Sequence, residues 1–271
     1  MDHFKKLEER QNRLRAELDA APTMGLTALI GAAPPALFRN GDKPNLLSVG
    51  AIAFRDDKST VHREKLRLRM DVGDDSLQPW GQKIKPYQLL GVTAHVLLGH
   101  DEFPATAQII SIDDYHSKDD ELARLAEQLQ LPVTIDDPQF GTLTLNREFM
   151  WFEGNVSWAG VSARIYVEAP NEDATDALVV ARQVWSEVHQ WDKRIREFAA
   201  AELIQTRNDN WLNPGEAYET HASFIEKLTI ESVLIKTDGE FEFNFDDGEM
   251  FSGHGVTVAC SLADGPMDAS L

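Results

Sequence analysis

One long apolar stripe constrains this chain more than any other feature. Between positions 171 and 208, Ala174, Leu178, Ala181, Val184, Trp185, Val188, Trp191, Ile195, Phe198, Ala199 and Leu203 recur at helical spacing. A helix with so wide an apolar face must bury it, and a sheet is the natural cover. The flanking segments supply one. Upstream, residues 141–145, 149–156 and 162–168 read as an antiparallel meander, with Gly154-Asn155 and Ala159-Gly160 as turns. Downstream, a short helix from about Thr220 sets Ala222, Phe224, Ile225 and Leu228 on its buried side. Strands are then expected over 229–237, 240–245 and 256–262. Phe241, Phe243 and Phe245 alternate with Glu240, Glu242 and Asn244, the pattern of a half-buried strand, and Asp238-Gly239 is a hairpin turn. Helices on one face of a mostly antiparallel sheet give the class α+β.

The first half reads as a second α+β unit. Residues 3–20 predict a helix, with Phe4, Leu7, Leu14 and Leu18 on a narrow stripe and Pro22 ending it. Residues 24–32 are expected to add a short helix. Residues 46–55 and 61–72 predict a hairpin around a 56–59 turn, and 87–98 and 106–112 two more strands. Residues 118–130 predict an amphipathic helix with Leu122, Leu125, Ala126 and Leu129 on one face. Residues 131–138 read as a boundary. The expected division is an N-terminal helix (1–22), an N-terminal α+β unit (23–132) and a C-terminal one (133–271).

Charge narrows the function. Of 271 residues, 26 are Lys or Arg and 45 Asp or Glu, a net charge of −19. From Asp209 to the end, 13 acidic residues face two basic ones, Lys227 and Lys236. An acidic balance argues against binding a phosphate backbone as the main task, so nucleic acid is not an expected partner. One local exception is Lys65, Arg67 and Arg69, alternating with Leu66, Leu68 and Met70; this reads as the wet face of an edge strand. No stretch approaches the length of apolar residues that a membrane helix needs, and the charged N-terminus is not expected to be a secretory signal. A single cysteine, Cys260, allows neither an internal disulfide nor a Cys-based zinc site, which fits the cytoplasm.

Phosphate loops, dinucleotide fingerprints, zincin helices and nucleophile elbows are missing from the sequence. The densest polar cluster is Asp246-Asp247-Gly248-Glu249-Met250-Phe251-Ser252-Gly253-His254. Its carboxylates and imidazole nominate Asp247 and His254 as an acid/base pair, while Asp-Asp-Gly and Ser-Gly equally describe a turn. Asn208 and Trp211, at the end of the long helix, and Trp158 are candidates to line a groove. No metal ligand set and no cofactor is nominated.

Several of these residues also carry a family resemblance. Asp137-Pro138-Gln139-Phe140-Gly141 leads into one strand and Trp158-Ala159-Gly160 into another. The long helix ends in Asn208-Asp209-Asn210-Trp211, a helix with Phe224 precedes the last strands, and Asp247 to His254 leads into an apolar strand. In this order the chain resembles the bacterial domain-of-unknown-function 2262 family, over about residues 136–271. The resemblance implies a soluble bacterial protein and brings no activity with it.

The leading expectation is a non-enzymatic acidic module that binds a basic protein through Asp246, Asp247 and Glu249, in one form an immunity-type inhibitor of a basic toxin. The alternative is a hydrolase-like enzyme or small-ligand binder using Asp247 and His254 as an acid/base or metal pair, with Asn208 and Trp211 lining its cleft. A structural role through the N-terminal helix is a third option. The oligomeric state is left open.

Overall fold

A computed structural model describes residues 2–40, 43–73, 80 and 82–271. It divides into two units, Met1–Leu131 and Pro132–Leu271, and each has its own buried core.

The N-terminal unit opens with α1 (Asp2–Ala20), of which Leu18 is buried. The side chains of Phe4 and Leu7, part of the expected stripe, lie outside the described residues. Seven strands follow: β1 (Thr23–Ile30), β2 (Ala36–Asn40), β3 (Lys43–Asp56), β4 (Val61–His62), β5 (Leu66–Val72), β6 (Leu89–Leu97) and β7 (Thr106–Asp114). Their order is β1-β6-β7-β5-β3-β2, and a further pairing of β1 with β3 closes β1, β6, β7, β5 and β3 into a five-stranded barrel. All pairs are antiparallel except β5 with β7. This is the strand order of an OB-type Greek-key barrel.

Two expectations are corrected here. Of residues 24–32, 24–30 lie in strand β1, and none is helical. Leu26, Ala28 and Ile30 point into the barrel, while Leu29 faces outward and is buried under helix α2 (Asp120–Gln130) with Ala53, Leu122 and Ala126. Burial on both faces erases the alternation that marks a strand. Likewise, β5 is not an edge strand; it lies between β3 and β7, because a closed barrel has no edges. Helix α2 is fixed at its start by Asp119, whose carboxylate accepts the N–H groups of Glu121 (3.1 Å) and Leu122 (2.9 Å) and pairs with Arg55 on β3.

The C-terminal unit is one eight-stranded sheet, ordered β15-β14-β13-β12-β11-β10-β9-β8. Its strands are β8 (Thr134–Asp137), β9 (Gly141–Asn146), β10 (Trp151–Trp158), β11 (Val161–Glu168), β12 (Thr229–Ile235), β13 (Glu240–Asp246), β14 (Val256–Ser261) and β15 (Gly265–Ser270). The stretch expected as a boundary thus contains β8. Only β11 and β12 pair in parallel, and a parallel pair needs a long crossover. That crossover carries α3 (Thr175–Ser186), α4 (Val188–Asn210) and α5 (His221–Lys227). The expected single helix is two, broken at Glu187, which has φ −124° and ψ 32°. Ala177, Ala181, Val184, Trp191, Ile195 and Leu203 from the helices meet Ile165, Val167, Val233, Phe241, Phe243 and Phe245 from the sheet in one core. Among the described residues, no helix is long and apolar enough to cross a membrane.

Candidate functional site

The polar cluster lies in the connection from β13 to β14. Its backbone is that of a tight turn: Gly248 (φ 56°), Glu249 (φ 66°), Ser252 (φ 56°) and Gly253 (φ 80°) are all left-handed. A Cβ on Gly248 would stand 2.8 Å from the carbonyl oxygen of Lys227, so glycine is required there for space as well as for φ. Asp247 is 2% exposed, and its carboxylate accepts the N–H groups of Glu249 (3.0 Å) and Phe251. Asp246 accepts the N–H of Gly248 at 2.9 Å. Asp247 is therefore a fastener inside the turn. Asp246 and Glu249 are exposed.

The same turn drives Phe251 into the core, where its ring lies 5.8 Å from Trp211 and 6.1 Å from Phe224. The His254 ring stands 5.5 Å from Trp211, edge to face. So the structure does bring together Trp211, His254 and the Asp247 turn. Trp211 gets there as the C-cap of α4, its N–H bonded to the Arg207 carbonyl. One turn back, the Asn208 side chain clamps the following loop: it donates to the Glu219 carbonyl (3.0 Å) and accepts the Glu219 N–H (2.8 Å). Arg207 and Glu216 pair beside it, and Glu219 pairs with Lys227.

Trp158 belongs to none of this. It is fully buried, its Nε1 donates to Asp192 at 2.9 Å, and it packs on Phe243 and Trp185, so it lines no groove. Asp192 is also held by Arg196, which reaches on to the Leu228 carbonyl at 2.6 Å. Asp137 plays a comparable part at the β8–β9 turn. It accepts the N–H groups of Gln139 (2.8 Å) and Phe140 (3.2 Å) and pairs with Arg182 of α3 (2.6 Å). Burial alone would raise its pKa, but these donors outweigh that and hold it below the ordinary carboxylate range.

A feature that sequence reasoning missed lies on the sheet face turned away from the core. Phe149, 55% exposed, stacks on Trp151 at 4.6 Å; Trp151 meets Tyr166 at 4.7 Å, and Arg164 lies over the Tyr166 ring. Both strand positions are flanked by buried residues, Phe152 on one and Ile165 and Val167 on the other, so the pleat sends these rings outward. An aromatic at the polar phase of a strand was the available signal.

Among the described residues, no group of three or more His, Cys, Asp or Glu side chains is placed to hold a metal ion. Asp113 is bonded to Thr93 and Ser111, and Asp114 accepts the His116 N–H. Cys260 is buried in the core, which pushes its thiol up to about 12.

Comparison with known proteins gives one family and little else. No curated protein matches the chain. Among solved structures, a deletion mutant of the single-stranded DNA binding protein from Thermus aquaticus aligns at 14% identity, over 55% of this chain and 76% of that one, with a TM-score of 0.24. Residues 137–271 match the model of a family described as "Uncharacterized protein conserved in bacteria (DUF2262)". Those residues make up nearly all of the C-terminal unit, and it is through that unit that the chain is similar to that bacterial family.

Proposed function

We propose that this chain is a non-enzymatic binding protein whose C-terminal unit docks a basic protein. The observation that carries this is charge. Residues 132–271 hold 9 Lys and Arg against 25 Asp and Glu, a net of −16; residues 1–131 hold 17 against 20, a net of −3. A surface of one sign steers an oppositely charged partner and makes the association salt-dependent. The open aromatic face adds a second means of holding it. Trp151 lies across from Glu168, and Tyr166 across from Glu153. A Lys or Arg arriving there meets both a ring face and a carboxylate. The commitment of Asp247 to its own turn weighs against its use as an acid or base. An inhibitor that covers a basic cleft is one form such a module takes, and the cytoplasm is the compartment we assign to it.

The test is capture of partners by the tagged full-length protein from a bacterial lysate, at low and high salt, beside the Asp246→Lys/Glu249→Lys variant. Asp247 is left in place because reversing it would break the turn. The expected result is a basic protein retained at low salt, released at high salt and lost with the variant. Capture that ignores both salt and variant overturns the acidic docking surface.

A further inference from the structure

The barrel carries a cluster of cations, Arg39, Arg67 and Arg69, that make no ion pair among the described residues. Along β5, Leu66 and Leu68 are buried in the barrel, and the pleat sends Arg67 and Arg69 to the outer face. Strand β3 places Ser48 opposite Arg69, and β2 places Phe38 opposite Leu46, so one outer surface runs across β2, β3 and β5. With α1 along one side, these elements enclose a groove of about 470 Å³, lined by Phe38, Arg39, Leu46, Ser48, Arg67 and Arg69. That is the volume of a small-molecule site.

One of its buried polar atoms is not satisfied from within. The Nε of Arg69 is buried and has no hydrogen-bond partner among the described residues. Asp71, the neighbouring carboxylate, is bonded to Arg15 at 2.6 Å. Burial, with Arg67 and Arg15 nearby, pushes the Arg69 pKa below its ordinary value against the opposing pull of Asp71. A buried N–H without an acceptor is costly, and an incoming anion would relieve it. Guanidinium groups present paired donors that match phosphate oxygens. At the rim, Phe38 is 56% exposed, a ring with one face free to stack. Strands β3 and β5 are the second and third of the barrel, the pair whose outer face carries ligands in barrels of this order.

We propose that this groove binds a nucleotide, its phosphate held by Arg39, Arg67 and Arg69 and its base stacked on Phe38. The nucleotide is either free or one unit of a single strand. The acidity of the whole chain does not oppose this, because the N-terminal unit is nearly balanced and the cations are gathered on one face.

The experiment uses full-length protein, with two fluorescent probes read by anisotropy: a labelled adenosine diphosphate, and a labelled oligothymidylate of about 12 nucleotides. Binding is expected for at least one of them. A labelled diphosphate displaced by unlabelled nucleotide identifies the free source; binding of the oligonucleotide alone identifies the strand. Arg67→Ala and Arg69→Lys are each expected to weaken binding about tenfold, the second because it keeps the charge and loses the fork. With the strand, Arg67→Ala is also expected to reduce the salt slope by about 0.7, and Arg69→Lys, which keeps the charge, to leave it unchanged. Phe38→Ala is expected to weaken binding several-fold without changing the salt slope. Lys65→Ala, just before β5 and outside the groove, serves as the control for general charge. Circular dichroism checks that each variant is folded. Binding of neither probe overturns the proposal. So does displacement by pyrophosphate as effective as by nucleotide together with an unaffected Phe38→Ala, which would leave an anion site without base recognition. An equal loss with Lys65→Ala also overturns it.

Discussion

At the scale of single residues, the turn between β13 and β14 is a point where backbone is held. Asp247 and Gly248 show the two ways of doing this, one by accepting N–H groups and one by lacking a Cβ. Gly248→Ala is expected to cost about 1–3 kcal/mol, since the new methyl meets the Lys227 carbonyl at a left-handed φ. Urea unfolding measures it, and a change within error would mean that the turn relaxes freely. Asp137 gives a prediction in pH. Its folded pKa is depressed, so the stability it contributes is present above the unfolded value of about 3.9 and is lost as pH falls through the lower folded value. The gap in urea midpoint between wild type and Asp137→Asn should therefore narrow on going from about pH 6 to about pH 2. A gap independent of pH would show that Asp137 acts through its shape alone. The Asp-Asp-Gly turn was legible in the sequence because its chemistry is local. The sequence nominated Trp211 and His254 for one site, but their contact could not be read from it, because a helix cap and a strand connection far apart in the chain must first be folded against each other.

At the scale of elements, the sequence is readable where one face is buried and the other wet. Strand β13 satisfies this, with Phe241, Phe243 and Phe245 inward and Glu240, Glu242 and Asn244 outward or half-buried. Strand β1 fails it because α2 covers its outer side. Strand β15 has almost no apolar pattern of its own; pairing with β14 makes it a strand. Helix α2 is both a reader's success and a test. Asp119 caps it and anchors Arg55 at once. Asp119→Ala is expected to destabilise the N-terminal unit by about 1–3 kcal/mol, at the upper end of ordinary cap losses because a charge pair goes with the cap. Hydrogen exchange should speed up at Leu122 and Ala126. Unchanged protection there would mean that packing on Leu29 and Ala53 alone holds the helix.

At the scale of the whole molecule, the two cores share no residue. Residues 132–271 are therefore expected to fold without the barrel and to unfold in one cooperative step, seen as coincident transitions by fluorescence and far-UV dichroism. A fragment without a cooperative transition would show that its core is incomplete. The charge of this unit leads to a second expectation: added salt should stabilise it by screening repulsion among its carboxylates. The lone thiol, meanwhile, sits in the core of this unit with its ionisation pushed up to about 12. At neutral pH it will be inert to maleimides. The wild-type chain is thus already a labelling background. A cysteine introduced on the surface of each unit would take a spin label or dye cleanly, and the spacing between the barrel and the acidic sheet would become a distance that can be followed as either one meets its ligand.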